Sequence, residues 1–363
     1  MDYEEEPEPE LTSRRGYQLK DLSRAFLQNL GDSGPIASGK ILHFSADMVA
    51  SGGLLLWEKL CWEYAYDHIG VASPRIFHYL ARKFKDLREK SVKLPFESFC
   101  KLKEIQEQIA ELVLILQGCP KKTKTKIPSV PATTHENDDW LRSVLQTTDK
   151  MAVRRVWNRN GDLEQMLHAG NEMVHAITEG ATERALFWVK WLLEEDSLIR
   201  KKYNSGLSTT ERGPPHAKQK TNMGYYLIAV LAEVYKEFAE KGMVRMHEEF
   251  QALLDLYRSS DQRNTQRRKM DTIAVMIQIL TDVPKWKVPA APSLVQDPTK
   301  LERMVSQAEG FFREVLALPL PPKFLPATVT GLKQKKVKEP TKEDHLKKQL
   351  DMMDQMAMSY YKM

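Results

Sequence analysis

The stretch from Thr182 to Tyr203, Thr-Glu-Arg-Ala-Leu-Phe-Trp-Val-Lys-Trp-Leu-Leu-Glu-Glu-Asp-Ser-Leu-Ile-Arg-Lys-Lys-Tyr, constrains the fold more than any other. Leu186, Val189, Leu193 and Leu198 recur near helical spacing, and Trp188, Trp191 and Leu192 fill in beside them. An apolar arc this wide predicts a helix buried on more than one side, a hub against which other helices must pack. Thr182 is placed to cap its start. Glu183 lies in the first turn and Arg200, Lys201 and Lys202 in the last, the charge order that a helix dipole favours.

The same periodicity recurs along the chain, while no stretch alternates with period two, so the expected fold class is all-α and multi-helical. Residues 1–16 are acidic and proline-rich and read as a disordered tail. A first helical unit, 17–118, holds a helix over Gln18–Leu30 and then a glycine-rich loop through Lys40. A long helix from Ser45 to His68 follows, interrupted by Gly52 and Gly53, and two further helices open at Ser73-Pro74 and at Pro95. Residues 119–137, rich in Pro, Lys and Thr, read as a linker. The second unit, 138–318, contains the hub, a polar loop over 204–220 and a helix that Asn222 or Gly224 opens and Gly242 ends, followed by more amphipathic helices. Residues 319–340 form a Pro/Lys-rich extended arm. Residues 341–363 form a terminal docking helix with Leu346, Leu350, Met353 and Met356 at helical spacing.

Composition excludes several classes. No apolar run approaches the roughly 20 residues of a membrane span, and the opening Met-Asp-Tyr-Glu-Glu-Glu lacks the basic and apolar parts of a signal peptide. Cys61, Cys100 and Cys119 are odd in number and widely spaced, which favours reduced thiols over disulfides or zinc. The net charge of +5 is mild for 363 residues; its distribution matters more, with basic runs at Lys121–Lys126 and Lys333–Lys348.

No catalytic constellation stands out. Gly34-Pro-Ile-Ala-Ser-Gly39-Lys40-Ile41 approaches the phosphate-binding loop, but Ile41 replaces the magnesium-binding hydroxyl and no strand precedes it. His168 and His175 share a helical face without a third ligand, and His247-Glu248-Glu249 lacks the second histidine of a zinc protease. Neither an enzymatic activity nor a cofactor is expected. Basic helix faces remain: Arg75, Arg82, Arg267 and Arg268 are the candidate phosphate contacts, weighed against solvated faces with interleaved acids such as Asp86 and Glu89.

The segment Ala185–Asp196 with Arg200-Lys-Lys-Tyr203, then Glu211-Arg212 and the helix after Lys218, resembles an iridovirus-like helical protein of the nucleocytoplasmic large DNA viruses. Asp67-His-Ile-Gly-Val-Ala-Ser-Pro-Arg-Ile-Phe77 is similar as well, whereas Tyr225 and Tyr226 stand where the family pattern has tryptophans. The resemblance implies a non-enzymatic structural protein of a large icosahedral virus, a minor capsid component bridging or underlying major capsid units. Its expected partners are other capsid proteins and further copies of itself, in the virion and in the host cytoplasm during assembly. In that picture Lys121, Lys122, Lys124 and Lys126, with Leu346, Leu350, Met353 and Met356, reach partners. The alternative is a nucleic-acid-binding replication or packaging factor that uses Arg75, Arg82, Arg267 and Arg268.

Overall fold

Helical periodicity becomes helix along most of the described chain. The computed structural model describes residues 11–136, 138–259, 266–282, 293–295 and 297–321. Over these the fold is all-α; the only extended pairings among the described residues are the isolated bridges Thr12–Gln18 and Asp162–Ser208. In chain order the first half comprises α1 (Leu19–Gly31), α2 (Pro35–Ala50), α3 (Leu54–Tyr64), α4 (Arg75–Lys93), α5 (Phe96–Lys101) and α6 (Lys103–Gly118). Then follow α7 (Thr133–Glu136), α8 (Asp138–Val144), α9 (Met151–Val156), α10 (Glu164–Thr178), α11 (Thr182–Tyr203), α12 (Met223–Glu240), α13 (His247–Arg258), α14 (Gln266–Thr281), α15 (Pro298–Val305) and α16 (Ala308–Leu316).

The expected hub is α11. It pairs with α10 and also touches α12 and α14. Gly180, at φ 70°, ends α10: the Gly180 and Ala181 amides donate back to the carbonyls of Ile177 and Ala176, and the chain reverses directly into α11. Ala185, Leu186, Trp188, Val189, Trp191 and Leu192 are buried. Trp188 and Trp191 pack against Trp140 of α8 at ring distances of 5.9 and 6.0 Å. Burying such side chains contributes about 1.5–3 kcal/mol each relative to exposure. Two details differ from expectation. Thr182 lies inside the helix and bonds the Thr281 hydroxyl at 2.8 Å rather than capping. Leu198 is 45% exposed, because the far end of α11 rises out of the core and carries Lys201 and Lys202 into solvent.

Several local readings are corrected. The stretch read as a loop through Lys40 is helical from Pro35, because proline at the first helical position supplies the right φ and Gly39 is tolerated within the helix. The long helix from Ser45 is two helices: Gly52, at φ 90°, turns the chain between α2 and α3, and a π-helical turn, Ala65–Ile69, follows α3. The helix from Pro95 breaks at Leu102, whose backbone is extended. Residues 11–16 are not a loose tail. Ser13 is buried and donates to the fully buried Asp47 at 2.6 Å, and Arg14 reaches three partners described below. The C-terminal docking helix and most of the Pro/Lys-rich arm lie outside the described residues.

The buried side chains of residues 17–118 and of 138–318 belong to one contiguous apolar cluster. α13 packs on α4, α14 on the turns after α3, and α16 on α2, α5 and α6, so helices from late in the chain complete the core of the early ones.

Candidate interaction groove

The groove lies where α4 meets α13. Along α4, Ile76, Phe77, Leu80, Phe84 and Leu87 recur at helical spacing and are buried, which turns Arg82, Lys85 and Glu89 outward. Along α13, Phe250, Leu253, Leu254 and Tyr257 are buried, leaving Glu248, Gln251 and Asp255 exposed. Between the two exposed rows runs a cleft of about 770 Å³. Trp62, Tyr66 and Phe84 floor it, and Ala252 and Leu256 close one side. Phe84 anchors the floor by ring contacts to Trp57 at 5.7 Å and Trp62 at 5.6 Å. Arg88, also on this wall, is tied to the buried Glu58, its Nε donating to Oε2 at 3.0 Å.

Of the four candidate arginines, the fold brings Arg82 and Arg268 to this groove and sends the other two elsewhere. Arg75 pairs with Glu249 at 3.3 Å and Arg267 with Asp67 at 3.4 Å. The lysines of 119–137 are partly drawn into the structure. Lys124 sits between Asp67 at 2.8 Å and Asp271 at 2.6 Å, and the Lys122 amide donates to the His68 carbonyl. Lys121 donates to the Gln117 carbonyl at 2.8 Å, and partial burial lowers its pKa. Lys126 is exposed. Leu346, Leu350, Met353 and Met356 lie outside the described residues.

A second polar cluster surrounds the loop between α11 and α12, and here sequence reasoning missed the pairing. The Asp162 carboxylate accepts from both terminal nitrogens of Arg212, from the Ser208 hydroxyl at 2.6 Å and from the Asn158 amide at 2.8 Å. Arg212 also donates to the Val156 carbonyl and lies over the Tyr226 ring at 5.3 Å. Burial by itself would raise the Asp162 pKa, but these hydrogen bonds and the Arg212 charge outweigh it and hold the carboxyl below its usual value. About two turns before the end of α11, Asp196 accepts from the Leu207 amide at 2.9 Å and from Arg200, which in turn holds the Thr221 carbonyl. Asp196, Arg200 and Arg212 therefore serve to lock a loop. The signal available in the sequence was the Glu211-Arg212 pair; only the Arg212 side chain is largely enclosed, while Glu211 pairs with Lys220 near the surface.

The groups weighed for catalysis are engaged elsewhere in the described structure. Gly34–Ile41, the near match to a phosphate loop, is largely wound into α2. Asp67 is engaged by Lys124 and Arg267, and Glu249 by Arg75. No His/Cys/Asp/Glu group able to hold a metal occurs among the described residues. All three thiols are buried, which pushes Cys119 up to about 11 and Cys100 to about 12, away from the reactive thiolate. No described helix is long and apolar enough to cross a membrane.

A third feature joins the two ends of the described chain. Arg14, 9% exposed, donates through Nε to the Ala50 carbonyl and through a terminal nitrogen to the Leu318 carbonyl, both at 2.7 Å, and it pairs with Glu97. Arg15 adds a pair to Glu314 at 2.8 Å. The N-terminal turn, the start of α5 and the end of α16 thus meet at one corner. No family model, curated protein or solved structure matches this chain.

Proposed function

We propose that this protein is a non-enzymatic structural component of a large icosahedral DNA virus, a minor capsid protein that bridges or underlies the major capsid units. The observation that carries the reading is the Arg14 clamp. Through it, the acidic segment with Asp2, Glu4, Glu5, Glu6, Glu8 and Glu10 and the Pro/Lys-rich segment after Pro321 join the helical body at the same corner. A single-core body with two oppositely charged segments rooted at one point suits a protein that ties neighbours together. Support also comes from the residues of the viral resemblance, which hold the fold instead of forming a reactive cleft. Other capsid proteins and further copies of this chain are its partners, in the virion and in the host cytoplasm during assembly.

The nucleic-acid reading has less support. Arg75 and Arg267 are paired with carboxylates, and the groove that gathers Arg82 and Arg268 also presents Glu89, Glu248 and Asp255. A phosphate-tracking surface calls for a run of unopposed cations.

The test is a virus encoding the chain without residues 322–363. The purified truncated chain is expected to melt as the full chain does, while shells fail to form or lose the protein. Normal shells that incorporate the truncated chain would contradict the proposal.

A further inference from the structure

The exposed edge of α4 along the groove carries Arg82, Lys85 and Glu89, at spacings of three and four residues. These positions fall within one helical stripe, and none of the three forms an ion pair among the described residues. The C-terminal stretch carries the reversed charges at the reversed spacing: Lys347, Asp351 and Asp354, four and then three residues apart. As a helix, that stretch places Lys347, Asp351 and Asp354 on one flank and Leu346, Leu350 and Met353 on the adjacent face. Laid antiparallel to α4, it sets Asp354 opposite Arg82, Asp351 opposite Lys85 and Lys347 opposite Glu89. Its apolar face then turns down toward Trp62, Tyr66 and Phe84, and thioether sulfur packs well against aromatic rings.

We propose that the α4/α13 groove receives residues 341–358 of a neighbouring copy of this chain, bound as an amphipathic helix antiparallel to α4. The helix-in-groove mode supplies the affinity through the apolar face, and the three charge pairs fix direction and register. At about 3.3–3.6 Å per extended residue, 322–340 reaches up to roughly 60 Å, enough to pass from one body to the next. The proposal rests on reading 319–340 as an arm, and it names the site on which that arm's helix lands.

The test uses the full-length chain and two charge-reversed variants, Arg82→Glu with Lys85→Glu, and Asp351→Lys with Asp354→Lys. All four positions lie outside the described core, so circular dichroism is expected to match the wild type. In sedimentation velocity at low salt the wild type is expected to self-associate and each variant alone to do so at least ~10-fold more weakly. An equimolar mixture of the variants is expected to recover a 1:1 complex, because the reversed helix of one fits the reversed groove of the other. Self-association indifferent to either reversal, a monomeric wild type, or variants that fail to complement each other would overturn the proposal. Failure here leaves the shell assignment standing, and absence from shells leaves this contact standing, so the two readings fall separately.

Discussion

The loop lock around Asp162 and the groove along α4 both present arginine and carboxylate close together, yet they treat charge in opposite ways. In the lock, Asp162 is wholly buried and Arg212 nearly so, every polar atom of the carboxylate has a donor, and the pair staples α9, α10 and the loop before α12. In the groove, Arg82, Lys85 and Glu89 are exposed and form no ion pair among the described residues. The difference lies in burial of the opposing group. A desolvated carboxylate makes its cation indispensable to folding, whereas an exposed cation is held by little and stays available to another molecule.

Arg212→Ala breaks the comparison most severely. It leaves the Asp162 charge buried and unpaired, and is expected to cost about 3–5 kcal/mol in urea denaturation. A loss below about 1 kcal/mol would mean that water reaches the lock and that the two regions are alike. Arg14→Ala comes next. Its guanidinium satisfies two carbonyls, so about 2–3 kcal/mol is expected, with faster amide exchange at the end of α16 as a local signature.

Acid sharpens the contrast. Because the folded-state pKa of Asp162 is lowered, its stabilisation is complete above the ordinary carboxylate value near 3.9 and is lost as pH falls through the lower folded value. The stability gap between the wild type and Asp162→Asn is therefore expected to narrow as pH drops below about 4, and a gap that stays constant to lower pH would refute the assignment. At the small end, Arg82→Ala is expected to change stability by no more than about 0.5 kcal/mol. A larger loss would show that the groove edge, too, belongs to the fold.

The sequence announced helices well and their charged partnerships badly. The wide arc of Leu186, Trp188, Val189, Trp191 and Leu192 marked α11 as the hub because periodicity is a local property, and those residues are buried as expected. Asp162 and Arg212 are fifty positions apart, and nothing in either neighbourhood shows that the chain brings them together. Arg14 was hidden by its company: an acidic, proline-rich beginning reads as a tail, while its guanidinium is fixed by residues on α5 and after α16. Pro35 was misread because neighbouring glycines outweighed a good helix-start position. For the candidate site, Arg82 and Arg268 were legible as cations on helix faces, but their meeting at one groove depends on α4, α13 and α14 packing together.

The central claim, a body that serves a viral shell through its arms, is tested most directly by quantitative mass spectrometry of purified particles stripped stepwise into shell, membrane and nucleoprotein core. Recovery of this chain with the shell, in fixed proportion to the major capsid protein, is the predicted result. Recovery with the DNA, or absence from the particles, would contradict it.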